Sequence, residues 1–256
     1  MVDHCFVCSR RWAVAIVSAV ACVLAQAQVP DSAREDRWAQ EVAPQVVVGD
    51  VVWIETPQRA KVLALFADPK ARKGGVVIIH GLGVHPDWGL NGALRVRLAD
   101  DGFATLSVQM PVLEAGATRE QYRALYGIAG ERIAAAIRNM HGRGISKVAI
   151  VSHSVGAGMV DAYLAMPGAL PADAWVPIGM LVDFARAPNK PILDIVAESD
   201  FPEVLASVKV RAPRLPHDRC SGQVTVAGTD HYFANATDVL AKAIETFLER
   251  ALSDGC

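Results

Sequence analysis

The stretch VSHSVGAG, residues 151–158, decides how this chain is read. Lys147–Val151 ahead of its end reads as a strand buried on both faces, and Val155–Met166 behind it has helical spacing and stops at Pro167. Ser154 therefore falls on a strand-to-helix turn. Such a turn is sharp, and the residues two positions to either side of its apex must be small. Gly156 and Ser152 meet that requirement, although Ser152 brings a small side chain into a slot where glycine crowds least. The helix after the turn favours anionic character at Ser154. A serine here can also do no more than cap that helix, so the rest of the chain has to choose between the two roles.

Outward from this turn the chain alternates strands and helices. Val46–Ile54, Lys61–Phe66, Gly75–His80, Ala104–Met110, Trp175–Val182, Pro191–Ala197 and Gln223–Ala227 read as strands. Tyr122–Met140, Pro202–Val210 and Asp238–Leu252 read as helices. Continuous β-branched runs between helical segments indicate a mostly parallel sheet covered on both faces, an α/β fold. Val182–Pro191 leaves room only for a short loop, so no large lid insertion is expected there.

A hydroxyl that attacks a carbonyl needs a base, a group to orient the base, and donors for the developing oxyanion. Asp200 lies just past the strand Pro191–Ala197, and His231 just past Gln223–Ala227. The order Ser154, Asp200, His231 places a nucleophile, an acid and a base at successive carboxyl ends of strands. Glu198 is an alternative acid, Asp194 sits inside its strand, and Asp230 reads as a turn residue. His80-Gly81-Leu82-Gly83 comes directly after another buried strand, and its glycines let the backbone turn tightly. The Leu82 N–H would face the site beside the Val155 N–H, with His80 a hydrogen-bonding residue of the turn. His80, His85 and Asp87 lie close together but match no metal-ligand spacing, so no metal and no cofactor is expected. Trp88 either lines the pocket mouth or packs in its loop, and His153 is expected under the turn.

The set HGLG, SHSVG, ESD and TDHYF resembles the α/β-hydrolases over about residues 46–252. That resemblance implies Ser154 as nucleophile, Asp200 as acid, His231 as base and an acyl-enzyme route for an ester or acyl substrate. IIHGLGVHPDW together with SHSVGAGM is similar, more narrowly, to a family of small exported bacterial α/β-hydrolase-like proteins of unknown function. The alternatives are a catalytically silent member that binds an envelope component, and acyl transfer or peptide cleavage at the same site.

The 256 residues are 52% hydrophobic and 20% charged, with a formal net charge of −2. This composition suits one domain with a substantial core and offers no basic surface for nucleic acid or anionic membrane. Arg10 and Arg11, the apolar run Trp12–Ala25 and the small-x-small Ala25-Gln26-Ala27 read as a signal peptide over 1–27, too short in its apolar part for the ~20 residues of a membrane span. The mature chain is expected in the periplasm or secreted, with an irregular polar linker or arm over 28–45 and the α/β-hydrolase domain over 46–256. Cleavage would remove Cys5, Cys8 and Cys22 and leave Cys220 and Cys256, an even pair that can either form a disulfide or stay as thiols.

Overall fold

Val76 and Ile78 pack on one face of the sheet and Val77 and Ile79 on the other, and all four are fully buried. A strand that is apolar on both faces has to lie at the centre of a sheet between two layers of helices. The computed structural model, which describes residues 28–253 and 255–256, has this arrangement. Its strands are β1 (Asp50–Thr56), β2 (Arg59–Ala67), β3 (Gly74–Ile79), β4 (Phe103–Val108), β5 (Val148–His153), β6 (Ala174–Ile178), β7 (Leu193–Ser199) and β8 (Gly222–Asp230). They form one eight-stranded sheet in the order β1-β2-β4-β3-β5-β6-β7-β8. β1 and β2 are antiparallel, as are β2 and β4; the other pairings are parallel.

The helices are α1 (Ser32–Val42), α2 (Gly89–Asp100), α3 (Arg119–Tyr122), α4 (Tyr126–Gly142), α5 (Val155–Ala165), α6 (Pro202–Arg211) and α7 (Thr237–Leu252). Ile133, Ile137 and Met140 of α4 and Met159 and Val160 of α5 join Val77 and Ile79 in one core. Leu94 and Leu98 of α2 and Leu240, Ile244 and Leu248 of α7 join Val76 and Ile78 in the other. The loops between β6, β7 and β8 carry no large insertion.

Two helices depart from the sequence reading. Residues 32–42, inside the stretch expected to be irregular, form α1, whose N-cap Asp31 accepts a hydrogen bond from the Arg34 N–H at 2.9 Å. The apolar stripe that would announce a docked helix is interrupted because α1 turns Glu35 inward, 2% exposed, onto the equally buried Arg132 at 3.0 Å. α2 was likewise hidden: it buries Asn91 and Arg95 alongside its leucines, so its polar residues do not sort to one side.

The signal-peptide reading falls on residues outside those described. Among the described residues no helix is long and apolar enough to cross a membrane. Cys220 and Cys256 are joined by a disulfide with Cα atoms 5.4 Å apart, tying the last residue to the loop before β8.

Replacing Glu35 by alanine would leave the Arg132 guanidinium buried without its main counter-charge. Breaking one partner of a buried pair destabilises by about 3–5 kcal/mol. Urea unfolding of Glu35→Ala should show a loss of that size, and a loss near zero would contradict the docking role given to α1.

Candidate active site

Ser154 sits between β5 and α5 with φ 57° and ψ −126°. Ser154 and Phe233 are the non-glycine residues at positive φ among those described. Holding a side-chain-bearing residue there costs about 1–3 kcal/mol, so the surroundings must impose it. The Ser154 N–H donates to the Ile178 carbonyl of β6 at 2.8 Å. Gly156 packs so closely on β3 that an added Cβ would stand 2.3 Å from the His80 carbonyl oxygen. Ser152, in the slot where the pattern has glycine, is 1% exposed and accepts a hydrogen bond from the buried Trp175 indole N–H at 2.8 Å. The extra side chain is thus accommodated because it satisfies a neighbour that would otherwise be left unpaired.

His231 Nε2 lies 2.8 Å from Ser154 Oγ, and His231 Nδ1 lies 2.6 Å from Asp200 Oδ1. The three residues come from the ends of β5, β7 and β8 and are at most 9% exposed. Burial opposes ionisation of Asp200, but the hydrogen bond and charge of His231 and the N–H groups of Phe201 and Ala197 outweigh it, so its carboxyl is held below the ordinary value. The His231 ring meets the Phe201 ring at 4.3 Å and the His153 ring at 4.8 Å, tilted to both. Gly179, at φ 57°, makes room for it, since a Cβ there would meet the ring at 2.8 Å. The other acids are engaged elsewhere. Glu198 is exposed and accepts from the Gly228 N–H, Asp230 accepts from the Tyr232 N–H within its turn, and Asp194 is fully buried against Arg211.

The His80–Gly83 turn lies against the same serine. A Cβ on Gly81 would stand 3.1 Å from Ser154 Cβ, and Gly83 takes φ 63°. His80 is wholly buried, and burial pushes its pKa down to about 3, which keeps it neutral. Its Nε2 accepts from the Met110 N–H at 2.8 Å, so Nδ1 carries the proton and donates to the Gly81 carbonyl at 2.9 Å. The Gly81 carbonyl and the Leu82 N–H belong to one planar peptide. Fixing the oxygen toward His80 therefore fixes the direction of that N–H. Neither the Leu82 nor the Val155 N–H has an acceptor among the described residues. His80 thus has both ring nitrogens occupied, and Asp87 is paired with Arg95 at 2.8 Å. Among the described residues no group of three or more His, Cys, Asp or Glu could hold a metal ion.

Ser154 opens onto two hollows. A cleft of about 620 Å³ is lined by Leu82, Trp88, Leu90, Phe201, His231 and Tyr232 among others, and a smaller hollow of about 180 Å³ by Tyr126, Leu181 and Val182. Arg119 borders both. Trp88 is 57% exposed and belongs to the cleft wall, where its ring meets His85 at 5.5 Å.

Solved structures share this architecture. An α/β serine hydrolase without a lid from Xanthomonas campestris superposes with a TM-score of 0.63 at 14% identity, covering 80% of this chain and 95% of its own. Dienelactone hydrolase from Anabaena variabilis gives 0.61 at 20% identity, with 77% and 94% covered. An esterase from Pyrococcus furiosus gives 0.62 at 13% identity, with 79% and 91% covered. The chain has the α/β-hydrolase fold. Residues 17–129 also match a family described as protein of unknown function (DUF3530). That match contains the His80–Gly83 turn but ends before Ser154, Asp200 and His231. No curated protein matches the chain in sequence.

The structure brings Ser154, Asp200, His231, Leu82, Val155 and the glycines of the two turns into one place. Sequence reasoning had missed Gly179, Phe201 and the Ser152–Trp175 pair. The first had a usable signal, a glycine interrupting the apolar run Trp175–Val182; the other two depend on which strands are neighbours.

His80 and His153 also bear on acid stability. Burial holds the His153 pKa down at about 4, with His231 adding to the effect, against an ordinary value of 6.5. The unfolded chain binds a proton below 6.5 that the folded chain refuses. Stability is therefore fully present above pH 6.5 and falls as pH drops toward 4, by about 1.4 kcal/mol per pH unit for each such histidine. Urea unfolding between pH 7 and pH 4 should show this decline, shallower by about one proton in His153→Gln. An unchanged slope would contradict it.

Proposed function

We propose that this chain is an exported serine hydrolase that cleaves carboxylic esters through an acyl-enzyme. The observation that carries the reading is the continuous hydrogen-bonded chain from Ser154 Oγ through His231 to Asp200, with the serine held in its strained turn. In this reading His231 Nε2 takes the Ser154 proton as Oγ bonds to the ester carbonyl carbon. The carbonyl oxygen becomes anionic and is met by the Leu82 and Val155 N–H groups. Collapse breaks the bond to the alkoxy oxygen, which takes the proton from His231 and leaves as the alcohol. Water then attacks the acyl carbon, giving its proton to His231. A second collapse returns that proton to Ser154 and releases the acid. Asp200 holds the Nδ1–H tautomer and offsets the imidazolium charge. The cleft has no large insertion over it, which favours soluble esters over interfacial lipid.

Ser154→Ala should lower turnover of the best ester found by at least about 10³-fold with the fold intact, and Asp200→Asn by about 10³–10⁴-fold. Wild type should react with a fluorophosphonate. Full turnover in Ser154→Ala would overturn the assignment. A wild type that neither hydrolyses any ester nor reacts with the probe would turn the reading to a binding protein.

Export is supported by the order of Arg10-Arg11, apolar run and Ala25-Gln26-Ala27, and by the Cys220–Cys256 disulfide, which suits an oxidising compartment. N-terminal sequencing from the native host should find a chain beginning near Gln28. A chain that starts at Met1 in the cytosol would contradict export.

A further inference from the structure

Asn91 is the odd residue of the large cleft. It lies in the first turn of α2, it lines the cleft, and it is 3% exposed. Around it the wall is apolar, with Val84, Leu90, Ala93 and Ala234 among the lining residues. Its backbone N–H donates to the Trp88 carbonyl at 3.0 Å, but its side-chain amide has no hydrogen-bond partner among the described residues. Neither amide atom is among the polar atoms sealed from solvent without a partner, and Asn91 is one of the residues that line the cleft. Ligand clefts of this kind place a few polar groups in an apolar wall to fix orientation.

The surroundings narrow what the amide can read. Arg95, the buried cation on the same helix, is engaged by Asp87 and by the Val48 carbonyl. Arg119, at the cleft's border with the smaller hollow, is paired with Glu203. The Thr237 hydroxyl already donates to the Phe233 carbonyl at 3.3 Å. A carboxylate beside Asn91 would therefore lose its water against cations that already have partners, Arg95 with Asp87 and the half-exposed Arg119 with Glu203. A neutral hydroxyl, carbonyl or amide costs less to desolvate and exchanges its water for the asparagine side chain, which both donates and accepts.

We propose that Asn91 is a specificity-determining residue, and that the large cleft takes a mainly apolar group bearing one neutral hydrogen-bonding substituent, such as a hydroxylated aryl or alkyl group. The inference rests on the ester-hydrolase reading for the rest of the substrate but not for the recognition itself.

The test separates the two. Matched arylalkyl methyl ketones, with or without a single hydroxyl at each ring position, are titrated by calorimetry against the full chain carrying Ser154→Ala. One hydroxylated isomer should bind about tenfold more tightly than its parent. Adding Asn91→Leu, or the smaller Asn91→Ala should the first fail to fold, should bring the two within about twofold. No isomer binding more tightly, or a preference that survives loss of the amide, overturns the inference; the first comparison needs no variant of Asn91. The matching ester pairs are then offered to the chain with Ser154 intact. A binding preference without turnover would leave Asn91's role standing and remove the hydrolase reading, while turnover without any preference would do the reverse.

Discussion

A residue with a side chain, held at φ 57° between β5 and α5, is the constraint around which this structure is built. Ser154 projects its hydroxyl from the sheet only because the backbone reverses sharply there, and each neighbour serves that reversal. The Ile178 carbonyl anchors its N–H. Gly156 has no Cβ because the His80 carbonyl occupies the space. Ser152 is permitted because the Trp175 indole needs an acceptor. The turn after β3 lies against this reversal, since a Cβ on Gly81 would stand 3.1 Å from Ser154 Cβ. The distortion at Ser154 raises its hydroxyl, while His80 fixes the Gly81–Leu82 peptide next to it.

The polar interior extends that constraint to the N-terminal helix. Arg34 donates to the Gly83 carbonyl at 3.0 Å and to the Leu113 carbonyl at 2.8 Å. Arg132, paired with Glu35, donates to the Gln109 carbonyl at 2.9 Å, one residue before the Met110 N–H that fixes the His80 tautomer. α1 therefore bears on the turn beside Ser154 from two directions. Buried charges cost stability unless paired, and here the pairs join a segment outside the sheet to the segment that orients the Leu82 N–H.

Much of this was legible from local pattern. The β-branched runs GVVII and VAIV announce central strands because no other element buries both faces. Ser154, Asp200 and His231 then stand out as the reactive side chains just past the carboxyl ends of strands. Boundaries moved by a few residues where turn chemistry decided them: β6 ends at Ile178 rather than Val182 because Gly179 turns out of extended backbone at φ 57°. α1 and α2 were not legible because each buries charged or amide side chains whose partners lie far along the chain. Arg132 is 97 residues from Glu35. Asn91 could not be singled out either, since only the assembled cleft leaves its amide facing apolar neighbours.

The central claim is that the hydrogen-bonded chain through His231 makes Ser154 Oγ the atom that becomes acylated. Rapid-quench intact-mass measurement during turnover of an activated ester tests it most directly. The account predicts a transient acyl adduct that maps to the peptide containing Ser154 and builds up more slowly when His231 is replaced by alanine. Ester turnover with no adduct, or an adduct on another residue, would contradict it.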